Sequence, residues 1–192
     1  MKPIKVIFAM LIVVVCAAFF IATPRNAQAA PLMSSWFFED DLESSLSPWI
    51  CWSPTQGDHG CSWLSTSETR SWILAAKNPY SIDTAGRRVT ISPFNSNMSC
   101  KATMFFKPFA HYQPATPPYS GQLEVIDYNS WTYNKIKTYT YIYLPTPGGW
   151  NSVTTASWTP PSPEIFVRMV FNNPTSTYKE LLVDLLRVSC TW

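Results

Sequence analysis

Ser99-Cys100-Lys101-Ala102-Thr103-Met104-Phe105-Phe106-Lys107 alternates in polarity almost residue by residue. Cys100, Ala102, Met104 and Phe106 share one face; Ser99, Lys101, Thr103 and Lys107 share the other. A period of two is that of a β-strand with one face buried. Strands are likewise expected at 36–39, 71–76, 87–91, 122–128, 136–144, 152–157, 165–171 and 180–190, with the quoted one at 100–107. All are short, and Pro, Gly, Asn and Ser separate them. The 17 prolines, among them Pro114, Pro117, Pro118, Pro145, Pro147, Pro160 and Pro161, occupy the gaps, where a missing N–H breaks no ladder. No segment sustains a helical period; residues 40–46 have room for one turn. Many short strands with regular turn signals predict an all-β fold, a β-sandwich of antiparallel sheets or a barrel.

Upstream of the strands the character changes. Lys2 and Lys5 precede a run from Val6 to Ala22 that carries no charge, and Ala27-Gln28-Ala29 supplies a small-x-small cleavage pattern. Residues 1–29 read as a secretory signal peptide, 30–35 as a short linker and 36–192 as a single β-jelly-roll domain. The 17-residue run also has nearly the length of a membrane span, so a retained N-terminal anchor is the alternative. Cys16 lies inside the run and reads as packing.

Removing the leader alters the charge. The whole chain is at +2, but Lys2, Lys5 and Arg25 belong to the leader and all 12 acidic residues follow it, which leaves the remainder at −1. A near-neutral chain lacks the basic face that nucleic acid or an anionic membrane surface would demand. No nucleic-acid partner is expected, and no membrane partner unless the leader is retained. A chain of this length can bury roughly 70% of its unfolded surface, and nine Trp with nine Tyr argue against disorder.

Four cysteines remain, Cys51, Cys61, Cys100 and Cys190. An even number in a secreted chain reads as disulfides, with three connectivities open. Cys51 and Cys61 flank a loop rich in turn formers, which favours a local bridge. Cys100 and Cys190 both fall in the buried phase of their strands, which favours a bridge between the last strand and a middle one. A zinc site on Cys51, His59 and Cys61 would lack the second close ligand pair that zinc spacing usually shows.

The segment from Lys135 to Leu144 is unusual. Ile136, Thr138, Thr140, Ile142 and Leu144 face one way; Lys137, Tyr139, Tyr141 and Tyr143 face the other. With the aliphatic side in the core, the tyrosines form an exposed stripe suited to the apolar faces and hydroxyl rims of sugars. Alternatively the rings, which suit strands in any case, pack beneath a loop.

Four places carry a family resemblance. They are Phe38-Glu39-Asp40-Asp41 with Leu46-Ser47-Pro48-Trp49, the quoted strand, Gly148-Gly149-Trp150-Asn151-Ser152-Val153, and the closing pair at 165–171 and 182–188. In their order the chain resembles the β-jelly roll of secreted bacterial carbohydrate-binding modules of the galactose-binding-domain-like type. The resemblance implies carbohydrate binding and a structural calcium held partly by Glu39 and Asp184. By alternation Asp184 shares its phase with Leu186, Val188 and Cys190 and points inward, where a carboxylate needs a cation or several donors. The family often has a second acid where this chain has Leu185, and a backbone-capping role or pairing with Arg168 are the other readings of Asp184.

Signals of catalysis are few. His59 and His111 are the only histidines, and no G-x-S-x-G occurs. A glycosidase would need two facing carboxylates, for which Glu124 and Glu164 are the available pair. The expectation is a secreted, extracellular, non-enzymatic module with no required cofactor, stapled by disulfides, whose partner is a carbohydrate or cell-envelope glycan. It would bind through Tyr139, Tyr141 and Tyr143 with Trp131. An extracellular structural or protein-interaction sandwich, or a small glycan-active hydrolase or lyase, are the alternatives.

Overall fold

The computed structural model describes residues 34–42, 49–52, 61–65, 70–76, 82–109, 118–129, 134–143, 149–172 and 179–192, and excludes the side chains of 52, 61–65, 70, 72–76 and 141–143. The leader at 1–29, most of the linker, His59, His111 and Trp131 lie outside the described residues.

Eleven strands are described: β1 (Ser35–Asp40), β2 (Trp49–Trp52), β3 (Cys61–Ser65), β4 (Arg70–Ala76), β5 (Ile82–Thr90), β6 (Ser99–Phe109), β7 (Tyr119–Asp127), β8 (Lys135–Tyr143), β9 (Asn151–Thr154), β10 (Glu164–Asn172) and β11 (Lys179–Thr191). Their pairings are all antiparallel. One sheet runs β3-β4-β11-β6-β9, with β1 also on β11; the other runs β2-β5-β10-β7-β8. From β5 onward the chain passes repeatedly between the sheets, as in a jelly roll. The all-β sandwich expected from alternation is the fold observed. β2 and β3 were not anticipated, because Trp49–Trp52 is apolar throughout and Cys61–Ser65 has serine in both phases, so neither alternates.

One core lies between the sheets. The six-stranded sheet contributes Ala102, Met104 and Phe106 with Val183, Leu186 and Val188; the five-stranded sheet contributes Val89, Leu123, Val125, Val167 and Met169. Burial of side chains of this size is worth about 1.5–3 kcal/mol each. β10 sits at the centre of its sheet, and its non-core side is also largely covered, with Phe166 9% and Val170 6% exposed.

Cys100 and Cys190 stand directly opposite each other in the β6–β11 ladder and are joined by a disulfide, with Cα atoms 4.0 Å apart. The bridge spans 90 residues of chain. Cys51 is also disulfide-bonded; the side chain of Cys61 is outside the described residues.

β11 departs from simple alternation. The β6–β11 register shifts between Asp184 and Leu186, and the intervening Leu185 has φ 35°, in the left-handed region. Val183 and Leu186 are both fully buried, so the extra residue reverses the phase. Asp184 pairs with Phe105 on the outer face and does not share a side with Leu186, Val188 and Cys190, as alternation predicted. The bulge falls between the two partners of that edge: β4 pairs with 179–183 and β1 with 186–191.

Candidate ligand-binding face

The outer face of the five-stranded sheet is built from the non-core phase of its strands. Register aligns Arg88 of β5, Phe166 of β10, Ile126 of β7 and Lys135 of β8 in one cross-strand row. The next row holds Ile50, Gly86, Arg168, Glu124 and Thr138. Gly86 is required here. A Cβ at that position would lie 2.3 Å from the Val167 carbonyl oxygen and 2.5 Å from Arg168 Cβ.

Glu124 is the polar centre of this face, 1% exposed. Lys135 Nζ donates to its Oε1 at 2.5 Å, and Arg168 Nε donates to its Oε2 at 2.8 Å. A carboxylate this buried is tolerable because both oxygens receive charged donors. Toward one end Arg88 pairs with Glu164 and places its guanidinium 4.5 Å from the Tyr128 ring centre. Tyr128 in turn lies 6.3 Å from Phe166 at 33°. Ile50, Ile126, Tyr128, Phe166 and Arg168 enclose a hollow of about 220 Å³. It offers apolar and aromatic walls with one cationic fork, the composition of a small-ligand site.

A larger hollow of about 440 Å³ adjoins it, lined by Phe38, Arg87, Arg88, Val89, Thr90 and Glu164. Its charged side chains are paired within the protein. Arg87 pairs with Asp40 and lies 4.8 Å from the Phe38 ring centre, and burial lowers its pKa. Asp40 also accepts the Trp49 indole N–H and the Leu42 amide, each at 2.9 Å. That network explains the opening F-E-D…W segment as a structural clamp.

The expected binding residues are placed only in part. Tyr139 is 43% exposed, on the outermost strand of the five-stranded sheet. It stands opposite Leu123, which is fully buried, so its phase is the one that faces the other sheet. The backbones of Tyr141 and Tyr143 stand opposite Gly121 and Tyr119; their side chains are outside the described residues. Ile136 packs against the core while Thr138 and Thr140 are exposed, because the β7–β8 register shifts beside Val125.

Glu39 and Asp184 are engaged within the six-stranded sheet. Arg187 Nε donates to Glu39 Oε2, and Asp184 Oδ1 accepts the Leu185 amide at 2.7 Å. Among the described residues no three His, Cys, Asp or Glu side chains gather as a metal site. The described residues do not fit the calcium cage that the resemblance implies. Arg168, the other partner considered for Asp184, is on the opposite sheet with Glu124. Glu124 and Glu164 share a face, but Glu164 precedes the Glu124-paired Arg168 by four residues, about 13 Å of strand.

Tyr128, Phe166, Arg168, Arg88 and Ile50 were not anticipated as site residues. The available signal was Phe166 and Arg168 recurring at two-residue spacing on β10, opposite in phase to Ile165, Val167 and Met169.

No protein-family model and no curated protein sequence matches the chain. Solved structures do resemble it. The family 11 carbohydrate-binding module from Clostridium thermocellum, in complex with a β-1,3-1,4-mixed-linked tetrasaccharide, superposes with a TM-score of 0.51 at 10% identity, over 80% of this chain and 94% of that one. The C-terminal family 22 carbohydrate-binding module of Clostridium thermocellum Xyn10B gives a TM-score of 0.51 at 12% identity, over 79% and 90%. The enzymatically active domain of bacteriophage CBA120 tailspike protein 4 gives 0.50 at 9% identity, over 74% of this chain and 19% of that one. At these identities the likeness establishes the fold: the β-jelly roll of carbohydrate-binding modules.

Proposed function

We propose that this chain is a secreted, non-enzymatic carbohydrate-binding module that holds glycan on the outer face of its five-stranded sheet. The observation that carries this reading is the hollow formed by Tyr128, Phe166, Ile50 and Arg168 on that face. Aromatic and aliphatic walls suit the C–H faces of sugar rings, and guanidinium N–H groups suit ring hydroxyls. Two solved modules of this fold support it: one was captured with a tetrasaccharide, and the cleft of the other takes part in ligand binding. The leader and the Cys100–Cys190 bridge support an extracellular location. Glu124 and Glu164 each serve a basic partner on the sheet, which favours binding over hydrolysis.

Affinity electrophoresis in gels containing mixed-linked β-glucan, xylan or acidic polysaccharide tests this reading. Retarded migration is expected, and it should weaken about tenfold or more in a Tyr128→Ala variant with an unchanged melting temperature. A protein retarded by no polysaccharide would end the proposal.

The exposure of Tyr139 favours a second placement of the same activity, with Tyr139, Tyr141, Tyr143 and Trp131 as the sugar platform. The two placements separate cleanly. A folded triple Tyr→Ala variant at 139, 141 and 143 loses retention under the second and keeps it under the first.

A further inference from the structure

Building on the glycan-binding reading, we infer that the ligand of this face is an anionic glycan, whose carboxylate or sulfate groups are met by Arg88, Arg168 and Lys135. Among the described residues of the face, these three cations share two carboxylates, Glu124 and Glu164. The two acids are not equivalent. Glu124 is enclosed, and both its oxygens are taken by Lys135 and Arg168, so it offers a ligand neither an acceptor nor accessible negative charge. The cations that hold it remain open to solvent, Lys135 at 52% and Arg168 at 28% of the side chain. The visible character of the face is therefore more positive than its formal balance.

Glu164 is the acid a ligand can replace. Its pair with Arg88 is half-open, with side chains 24% and 43% exposed. Exposed pairs are weak because solvent screens them, so a ligand anion can take over Arg88 at little cost. Register sets the spacing. Arg88 and Lys135 terminate one row, with Phe166 and Ile126 between them, which puts their backbones about 14 Å apart at roughly 4.8 Å per strand. The floor between them is apolar, with Phe166 9% and Ile126 2% exposed, and a cation stands at each end, which suits a sugar chain charged at intervals. A neutral glycan would leave these cations on Glu164 and Glu124 and make no use of their open sides.

Affinity electrophoresis of the leader-free chain with four polysaccharides tests this: polygalacturonate, its fully methyl-esterified form, dextran sulfate and mixed-linked β-glucan. Strong retardation by polygalacturonate, lost on esterification and weakened by 0.1–0.5 M salt at about the Debye-length change expected, supports the assignment. Retardation by dextran sulfate but not polygalacturonate also supports it and identifies the anion as sulfate. A double variant Arg88→Gln, Lys135→Gln should lower affinity about tenfold or more. Lys101→Gln, on the outer face of the opposite sheet, should not.

Equal retardation by esterified and free polygalacturonate, or by β-glucan alone, overturns the anionic assignment and leaves the glycan reading standing. Retardation by none of the four overturns both. Anion-dependent retardation that is as strong in the folded double variant as in the parent overturns the placement on this face.

Discussion

Trp49 donates its indole N–H to Asp40 Oδ2 at 2.9 Å, joining the start of one sheet to the start of the other. The same carboxylate takes the Leu42 amide and pairs with Arg87, whose side chain is only 16% exposed. One acid thus satisfies an indole, a backbone amide and an inward-directed guanidinium. Asp40→Ala should destabilise the domain by about 3–5 kcal/mol, the cost of leaving one member of a buried pair alone. Trp49→Phe should cost less, about 1–2 kcal/mol for the lost hydrogen bond and some packing. Urea denaturation of the two variants checks the order; a larger loss for Trp49→Phe would count against Asp40 as the hub.

The Cys100–Cys190 bridge closes 90 residues between two strands that are already hydrogen-bonded neighbours. Replacing both cysteines by Ala should cost about 2–5 kcal/mol through the freed unfolded chain. For a domain of this size that is a fall in Tm of roughly 5–15 °C. Calorimetry of the double variant measures it, and a change under 2 °C would contradict the expectation.

Gly86 lies beneath Arg168 with no room for a methyl group, since the nearest obstacle is backbone. Gly86→Ala should force β5 and β10 apart locally and cost about 1–3 kcal/mol. Because Arg168 must move, the variant should also weaken polysaccharide retention more than its loss of stability explains. Retention measured well below the variant's Tm distinguishes the two effects.

Tyr119 has its hydroxyl pKa pushed up to about 12 by burial and, secondarily, by the negative charge of Glu180. Its ring stacks on Phe171 and lies 4.9 Å from Lys179 Nζ. The folded pKa exceeds the unfolded value near 10, so the fold favours the neutral phenol. Its contribution to stability is intact below pH 10 and is lost as pH rises through 12. Denaturation midpoints measured from pH 8 to 12 should fall over that window, and Tyr119→Phe should flatten the fall. An unchanged slope in Tyr119→Phe would assign the alkaline loss elsewhere.

How much of this was legible depended on contrast between strand faces. β6 alternates between thiol or aliphatic and charged or hydroxyl groups, and its burial follows that alternation. On β10 both phases carry large apolar residues, so Arg168 alone marked the outer phase and Phe166 had nothing to set it apart from the core residues beside it. β8 sets Thr and Ile on one face against Tyr and Lys on the other, Thr, Ile and Tyr all suit a strand, and an outermost strand is not forced to bury either side. The phase of Asp184 was hidden because the extra residue of the bulge is Leu185, where a glycine would have signalled the break. β2 is apolar at every position and β3 has serine in both phases, so neither showed an alternation to count.

The irregularity at Leu185 has a consequence for how this chain can vary. Because β4 leaves β11 at Val183 and β1 joins it at Leu186, no strand on that edge has to follow the chain across the extra residue. On the other edge, β6 alone absorbs the mismatch. Losing the Leu185 codon would leave Asp184 and Leu186 as neighbours opposite Phe105 and Met104, so residues 186–191 would keep their phase, with Leu186 and Val188 inward and Cys190 facing Cys100. The covalent staple therefore tolerates loss of the extra residue, whereas a one-residue deletion between Leu186 and Cys190 would turn the end of the strand over and carry Cys190 away from Cys100.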